Sequence, residues 1–125
     1  LPYMINGGTI ITVGSGAAIS PLDGWSHYCT SKAAVHHLNA CLDLEMRSNS
    51  IRALVLSPGT VATEMQRLIK KSGINPVSKM GWEDHIPPNW AAKCLVWMCG
   101  AQSDDYLGKV VSLREEGIRK AIGVI

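Results

Sequence analysis

Tyr28 and Lys32 are the residues in this sequence whose types and spacing suit acid–base chemistry. They are four positions apart in a segment with a helical pattern, so both side chains project from one face about one turn apart. A phenol beside an ammonium group releases its proton more readily, because the cation stabilises the phenolate. The pair could therefore act as a general acid and base. Taken alone, the same spacing also fits a packed tyrosine next to a solvated lysine.

Ser15 strengthens the catalytic interpretation because of its place in the chain. It directly follows an apolar run at 8–14, and the next such run is followed by the loop 57–63. Parallel strands present their functional groups at their carboxyl ends, so both loops are expected at one edge of a sheet.

The elements that must position these residues alternate between two hydrophobic periods. Short β-branched runs bounded by glycine or proline predict strands, and apolar residues at helical spacing predict helices. The predicted strands are 8–14, 52–57 and 109–113, and the predicted helices are 31–46, 63–71, 87–100 and 114–122. The strand–helix order predicts an α/β fold with a parallel sheet. The first strand is left with an unpaired apolar edge, so we expect it to pair with something outside this sequence.

In the helix predicted over 31–46, the apolar positions define the face expected to be buried. They are Ala34, Val35, Leu38, Cys41, Leu42 and Met46. Polar residues lie between them, as expected for an amphipathic helix.

Composition excludes several classes of function. The 125 residues suffice for one domain, and 46% apolar with 18% charged residues is ordinary for a globular protein. A net charge of +2 without a basic run argues against nucleic acid binding. No apolar stretch is long enough to span a membrane, and the first residues do not resemble a signal peptide. The chain does not begin with Met, which suggests that it is cut from something longer.

The cysteines and histidines indicate neither disulfides nor a metal site. Cys29, Cys41, Cys94 and Cys99 include no CxxC pair, so we interpret them as free thiols in a reducing compartment, the cytoplasm. The four histidines, of which His36 and His37 are adjacent, have no partners at metal-ligand spacing.

Four segments together resemble the short-chain dehydrogenase/reductase family. They are Gly7-Gly-Thr-Ile-Ile-Thr-Val-Gly-Ser15, Tyr28-xxx-Lys32-Ala-Ala, Ile51-Arg-Ala-Leu-Val-Leu-Ser-Pro-Gly59 and Val61-x-Thr63, in the family's order and with its spacings. Segments 24–29 and 63–66 further resemble the branch that includes sepiapterin reductase and related carbonyl reductases. The resemblance covers nearly the whole chain.

The resemblance implies that residues 1–125 form the C-terminal, catalytic half of one Rossmann-like, doubly wound domain. The three strands and their crossover helices would belong to that half. The glycine-rich turn of the family's dinucleotide-binding N-terminal half has no counterpart here. Gly14-Ser-Gly16 is not that turn, because no glycine follows at Ile19.

The resemblance also implies roles for individual residues. Tyr28 would be the general acid, Ser15 would bind the carbonyl oxygen of the substrate, and Lys32 would assist the tyrosine and bind the nicotinamide ribose. The cofactor would further contact Pro58, Gly59, Val61 and Thr63. Trp25, Met65 and Leu68 are candidates for substrate contacts.

Structural alternatives remain open for several of these residues. Pro58 and Gly59 could form a simple turn, and Thr63 could be a helix N-cap. Trp25, Met65 and Leu68 could equally be packing residues.

The expected function is NAD(P)-dependent interconversion of a carbonyl and an alcohol by hydride transfer, with NADP slightly favoured over NAD. The expected partners are a small-molecule carbonyl or alcohol substrate, and either another copy of the chain or a separate N-terminal half. The alternative is a catalytically silent truncated fragment, or an interaction module that keeps the second half of the fold.

Overall fold

Three parallel strands form the sheet in the computed structural model, which describes residues 1–125 throughout. The strands are β1 (Gly8–Val13), β2 (Ile51–Ser57) and β3 (Val110–Ser112), in the spatial order β1-β2-β3. In the register, Gly8 pairs with Ile51 and Val55 pairs with Val110. The predicted α/β fold with a parallel sheet is confirmed, and β1 is an edge strand whose only partner is β2.

Four α-helices connect and flank the strands, and short 3₁₀ turns join them. The helices are α1 (Ser26–Met46), α2 (Glu64–Ser72), α3 (Pro88–Met98) and α4 (Glu116–Ala121). α1 begins five residues earlier than its apolar periodicity predicts, so Tyr28 lies in its first turn. Pro88 is accommodated at the start of α3, where a proline removes no intrahelical hydrogen bond.

The main hydrophobic core lies between β2, β3, α3 and α4. Leu54 and Leu56 of β2 are almost fully buried, because β2 is the central strand and helices cover the sheet. They pack in one cluster with Cys94, Met98, Val111, Leu113 and Ile118. Burial raises the pKa of the Cys94 thiol to about 11, so this cysteine acts as a small apolar side chain. All four cysteines are free thiols.

The face that α1 turns towards the sheet agrees only in part with the predicted one. Asn39 and Asp43 are its buried residues, at 1% and 8% exposure, whereas Leu38 is 60% exposed. Asp43 is tolerated there because Arg47, one turn later, pairs with its carboxylate. Of the predicted apolar positions, Val35, Cys41, Leu42 and Met46 are half-buried, whereas Ala34 and Leu38 lie on the outside.

Arg52 of β2 ties the edge of the sheet to the segment after α3. Its guanidinium pairs with Asp104 at 2.8 Å and donates to Thr9 on β1 at 3.0 Å. It also donates to the carbonyl oxygens of Met98 and Gly100 and to the Ser103 hydroxyl. One side chain thus joins three segments that are distant in sequence.

None of the helices is long and apolar enough to cross a lipid bilayer.

Candidate active site

The loops that follow β1 and β2 meet at the carboxyl edge of the sheet. The last hydrogen bond between β1 and β2 runs from the Gly14 N–H to the Leu56 carbonyl oxygen at 2.7 Å, and Ser15 is the residue after Gly14. A cavity of about 410 Å³ opens at this edge. Five of the residues predicted from the sequence line it: Ser15, Trp25, Tyr28, Gly59 and Met65. The structure therefore brings together residues from three separate segments.

Tyr28 lies in the first turn of α1, between an aromatic ring and a cation. Its ring packs edge-on against Trp25, with the ring centroids 5.4 Å apart. The Lys32 Nζ lies 5.8 Å from the centre of the Tyr28 ring, as the four-residue spacing predicts. One Lys32 donor is used by the Val13 carbonyl oxygen at 3.0 Å, which holds the ammonium beside the tyrosine. Two further ammonium protons remain for other acceptors.

The Ser15 hydroxyl is oriented by a backbone N–H two residues later in the chain. Its Oγ accepts the Ala17 N–H at 3.1 Å and so caps a 3₁₀ turn over Gly16–Ala18. Because the oxygen serves as the acceptor in this bond, its proton is free to be donated. A donor that is fixed by the fold suits the stabilisation of a carbonyl oxygen that gains negative charge.

Of the four predicted cofactor residues after β2, Gly59 belongs to the cavity lining, whereas Pro58, Val61 and Thr63 do not. Gly59 has a φ of +75°, a conformation that favours glycine. Pro58 precedes it, and Val61 forms a parallel bridge to Ile86 that secures the loop. Thr63 occupies the N-cap position of α2, but its hydroxyl makes no capping hydrogen bond and stays available.

Leu68 is a predicted substrate contact that the cavity lining does not include. Its side chain is 60% exposed on α2, one turn beyond Met65. Ile69, the next residue, lines the cavity instead. The helical periodicity after Thr63 was too short to distinguish the two positions.

Sequence reasoning missed several residues that line the cavity. They are Gly16, Ala17, Ser20, Leu22, His27, Thr60, Gln66, Ile69, Val77 and Arg114. Gln66 has a buried Oε1 without a hydrogen-bond partner, so it offers an acceptor to a bound molecule. The sequence signal that could have identified Gln66 is its position next to Met65, in the helix predicted over 63–71. Arg114 and Val77 come from distant loops, for which no motif was present.

The residues of this edge fit one end of a nicotinamide cofactor. Gly59 leaves an open approach on its Cβ side, where the nearest atom is the Arg114 Nε at 3.6 Å. The free Thr63 hydroxyl and the Lys32 ammonium supply polar groups for a ribose and a phosphate. The adenine and diphosphate are usually held by a glycine-rich turn at a helix N-terminus, and no such turn occurs in the sequence.

Gly14 is the tightest position of the loop that carries Ser15. A Cβ atom there would overlap the His36 imidazole and lie 2.5 Å from Val55 Cγ1. We expect Gly14→Ala to lower the free energy of unfolding by about 1–3 kcal/mol, because the surroundings must shift. Urea denaturation measures this loss. Gly16→Ala is the matched control, since no atom lies within 4 Å of its Cβ position; equal losses for the two variants would contradict the steric explanation.

Comparison with known proteins identifies the family. The sequence profile for short chain dehydrogenase matches residues 1–73. The chain is 42% identical over 65 residues to benzil reductase ((S)-benzoin forming) of Saccharomyces cerevisiae, which is 52% of this chain and 25% of the relative. It is 44% identical over 63 residues to 2,3-dihydro-2,3-dihydroxybenzoate dehydrogenase of Escherichia coli, which is 50% of this chain and 25% of the relative.

Sepiapterin reductase is also among the relatives, as the sequence resemblance predicts. The protein of Meriones unguiculatus is 37% identical over 68 residues, covering 54% of this chain and 25% of the relative. The aligned part of the chain thus spans about a quarter of each of these three relatives.

Solved structures show the same fold. A short chain dehydrogenase/reductase from Saccharomyces cerevisiae superposes with a TM-score of 0.77 at 22% identity, covering 90% of this chain and 48% of that chain. A 7α-hydroxysteroid dehydrogenase complexed with NADH gives 0.70 at 20% identity, covering 90% and 46%. L-Sorbose reductase from Gluconobacter frateurii, complexed with NADPH, gives 0.65 at 20% identity, covering 86% and 46%.

The matched profile covers more than half of the chain, and the solved structures of the same name share its fold. The chain belongs to the short-chain dehydrogenase family.

Proposed function

We propose that this chain supplies the catalytic half of an NAD(P)-dependent oxidoreductase that interconverts a carbonyl and an alcohol. The observation that supports this proposal most directly is the meeting of Ser15 and Tyr28 in one cavity, with the Lys32 ammonium beside the tyrosine ring. The three residues come from a strand end and one helix face, and a purely structural role would not require them to meet at an open cavity.

In this proposal Tyr28 and Ser15 act on the substrate carbonyl oxygen. During reduction the Tyr28 hydroxyl gives its proton to that oxygen, and in oxidation the phenolate takes the proton back. The Ser15 hydroxyl donates a hydrogen bond to the same oxygen and stabilises its developing charge. Lys32 stabilises the phenolate through its charge. The nicotinamide, when bound, supplies or accepts the hydride at the carbonyl carbon.

The cavity favours a substrate with a substantial apolar body and a polar group. Trp25, Met65 and Ile69 provide apolar walls, and the Gln66 Oε1 provides an unpaired acceptor. One relative is named for benzil, which is an aromatic diketone. A small aromatic ketone is therefore a suitable first substrate to test. The cofactor is NAD or NADP, with NADP slightly favoured.

The alternative is that the chain is a catalytically silent fragment or an interaction module. The alignments to the curated relatives span about a quarter of their length, and the solved structures are covered to about half. The same observations fit a chain that needs a dinucleotide-binding half to work. The two possibilities differ in whether such a half accompanies the chain, either in the same polypeptide or as a separate one.

Two copies of the chain could also associate. Leu38 and Leu44 on the outer face of α1 are 60% and 85% exposed, and the free edge of β1 lies beside apolar side chains. Both features support the proposed pairing with another copy or with an N-terminal half. The four free thiols are compatible with the proposed cytoplasmic location.

The experiment compares the protein from its native source with the chain of residues 1–125 alone. Intact mass shows whether the native protein is larger than 13.5 kDa, and calorimetry measures the binding of NADH and NADPH. We expect the isolated chain to bind either cofactor no tighter than about 1 mM, because only the nicotinamide end finds contacts. We expect the native protein to be larger and to bind in the micromolar range.

Two outcomes would contradict this expectation. The first is an isolated chain that sediments as a monomer and binds a cofactor at micromolar affinity. This result would mean that the chain makes cofactor contacts beyond the nicotinamide end. A native protein of 13.5 kDa without cofactor binding, with no separate half associated with it, would favour the silent fragment instead.

A further inference from the structure

The backbone N–H of Ser15 is bound by a side chain from α1 rather than by a neighbouring strand. It donates to the His36 Nε2 at 3.2 Å, across 21 residues of sequence. The preceding residue, Gly14, makes the last ladder bond to β2. His36 therefore holds the chain at the point where β1 ends and the loop with the Ser15 hydroxyl begins.

The imidazole fills a space that only a glycine at position 14 leaves open. A Cβ at Gly14 would overlap the His36 Nε2 and contact Val55. Gly14 is buried, and His36 is half-buried. The two residues are thus complementary in shape, and the contact between His36 and Ser15 depends on a close approach that few residue pairs permit.

The neutral form of His36 is required for this contact. An Nε2 that accepts a hydrogen bond carries no proton, so the proton of the neutral ring is on Nδ1. Burial lowers the pKa of His36 from its ordinary value, and the Lys32 ammonium one turn away lowers it further. On the sheet side the ring lies against Gly14 and Ser15, neither of which has a charged side chain.

We propose that His36 is the positioning residue for Ser15, and that its imidazole fixes the loop from which the Ser15 hydroxyl reaches the substrate. The inference rests on the proposed function, in which that hydroxyl binds the carbonyl oxygen. Protonation of Nε2 would place two donors opposite each other, so the loop would move and the hydroxyl would lose its alignment. His36 itself is not part of the cavity lining.

The first test follows the Ser15 amide by NMR in the full-length protein labelled with ¹⁵N-serine. Between pH 8 and pH 4.5 we expect the Ser15 amide resonance to shift with the same midpoint as the carbon-bound protons of His36, and below the ordinary histidine value of about 6.5. His36→Gln retains an acceptor of similar reach that does not titrate, so the Ser15 shift should vanish. His37→Gln, at an exposed neighbour, is the control and should leave it unchanged.

The second test measures turnover of an aromatic ketone. His36→Leu keeps the volume but removes the acceptor, and we expect kcat to fall about 10–100-fold with little change in the KM of the cofactor. His36→Gln should recover most of this loss. It should also remove the fall in kcat at low pH that we expect for the wild type.

The outcomes separate the two proposals. If His36→Leu and His36→Gln lose equal activity and the Ser15 amide does not titrate, His36 is a packing residue and the inference is wrong. If the wild-type protein reduces no carbonyl compound, the proposed function fails. In that case the NMR titration still tests the hydrogen bond between His36 and Ser15. A Ser15 amide that titrates with His36 supports this bond, and a Ser15 amide that does not titrate contradicts it.

Discussion

Replacing Tyr28 by phenylalanine is expected to lower turnover by about 10²–10⁴-fold, the usual contribution of a general acid. The substitution keeps the ring that packs edge-on against Trp25, so the start of α1 should be preserved. What is lost is the proton that the substrate oxygen must receive. The rate of ketone reduction by the native protein, followed through the absorbance of the reduced cofactor, measures the effect.

Tyr106→Phe is the matched control for this prediction. Tyr106 packs edge-on against Trp97, at 6.1 Å between ring centroids, and is not part of the cavity lining. Its variant should keep wild-type turnover. A Tyr28→Phe enzyme that retains most of its activity would refute the assignment of Tyr28 as the acid.

Replacing Arg52 by methionine is expected to cost about 3–5 kcal/mol of the free energy of unfolding. The guanidinium is only 19% exposed and is bound by a carboxylate, two hydroxyls and two carbonyl oxygens. Methionine fills part of the volume but removes all of these hydrogen bonds at once, although the Met98 and Gly100 carbonyl oxygens keep the Ser103 hydroxyl as a donor. A small domain has about 5–15 kcal/mol of stability in total, so the midpoint of urea denaturation should fall sharply.

Arg67→Met provides the comparison at the surface. Arg67 pairs with Glu64 at 3.0 Å, but both side chains are more than half exposed. Solvent screens such a pair, so its loss should cost less than about 1 kcal/mol. Similar losses for the two variants would mean that the buried hydrogen bonds of Arg52 contribute little.

The order of elements and the parallel sheet could be predicted because they follow from local patterns. Gly8–Val13 and Ile51–Ser57 are apolar runs bounded by turn residues, and their bounds were predicted to within one residue. The place of Tyr28 beside Lys32 followed from helix geometry alone. Ser15 could be placed at the same edge because it follows a strand directly.

Other features depend on contacts between distant segments and left no local signal. The inner face of α1 buries Asn39 and Asp43 among half-buried apolar residues, and an apolar pattern gives no reason to expect two polar side chains there. Asp43 is accepted only because Arg47 pairs with it. The sequence around His36 has no metal-ligand spacing and no other motif, and its contact with Ser15 requires Gly14, far away in sequence. Arg114 reaches the cavity from beyond β3, where no motif was recognised.

The register of the sheet has a consequence for how the chain folds. Thr9 and Arg52, paired neighbours in the ladder, are 43 residues apart, and the partner of Val55 is the still more distant Val110. No ladder bond can form until a long segment has closed into a loop, whereas the 21 residues of α1 need only local contacts. We therefore expect α1 to form on the microsecond scale and the sheet to assemble much later, in the slow range of folding rates. Until then β1 exposes both edges, so this chain should aggregate most readily when it refolds at high protein concentration.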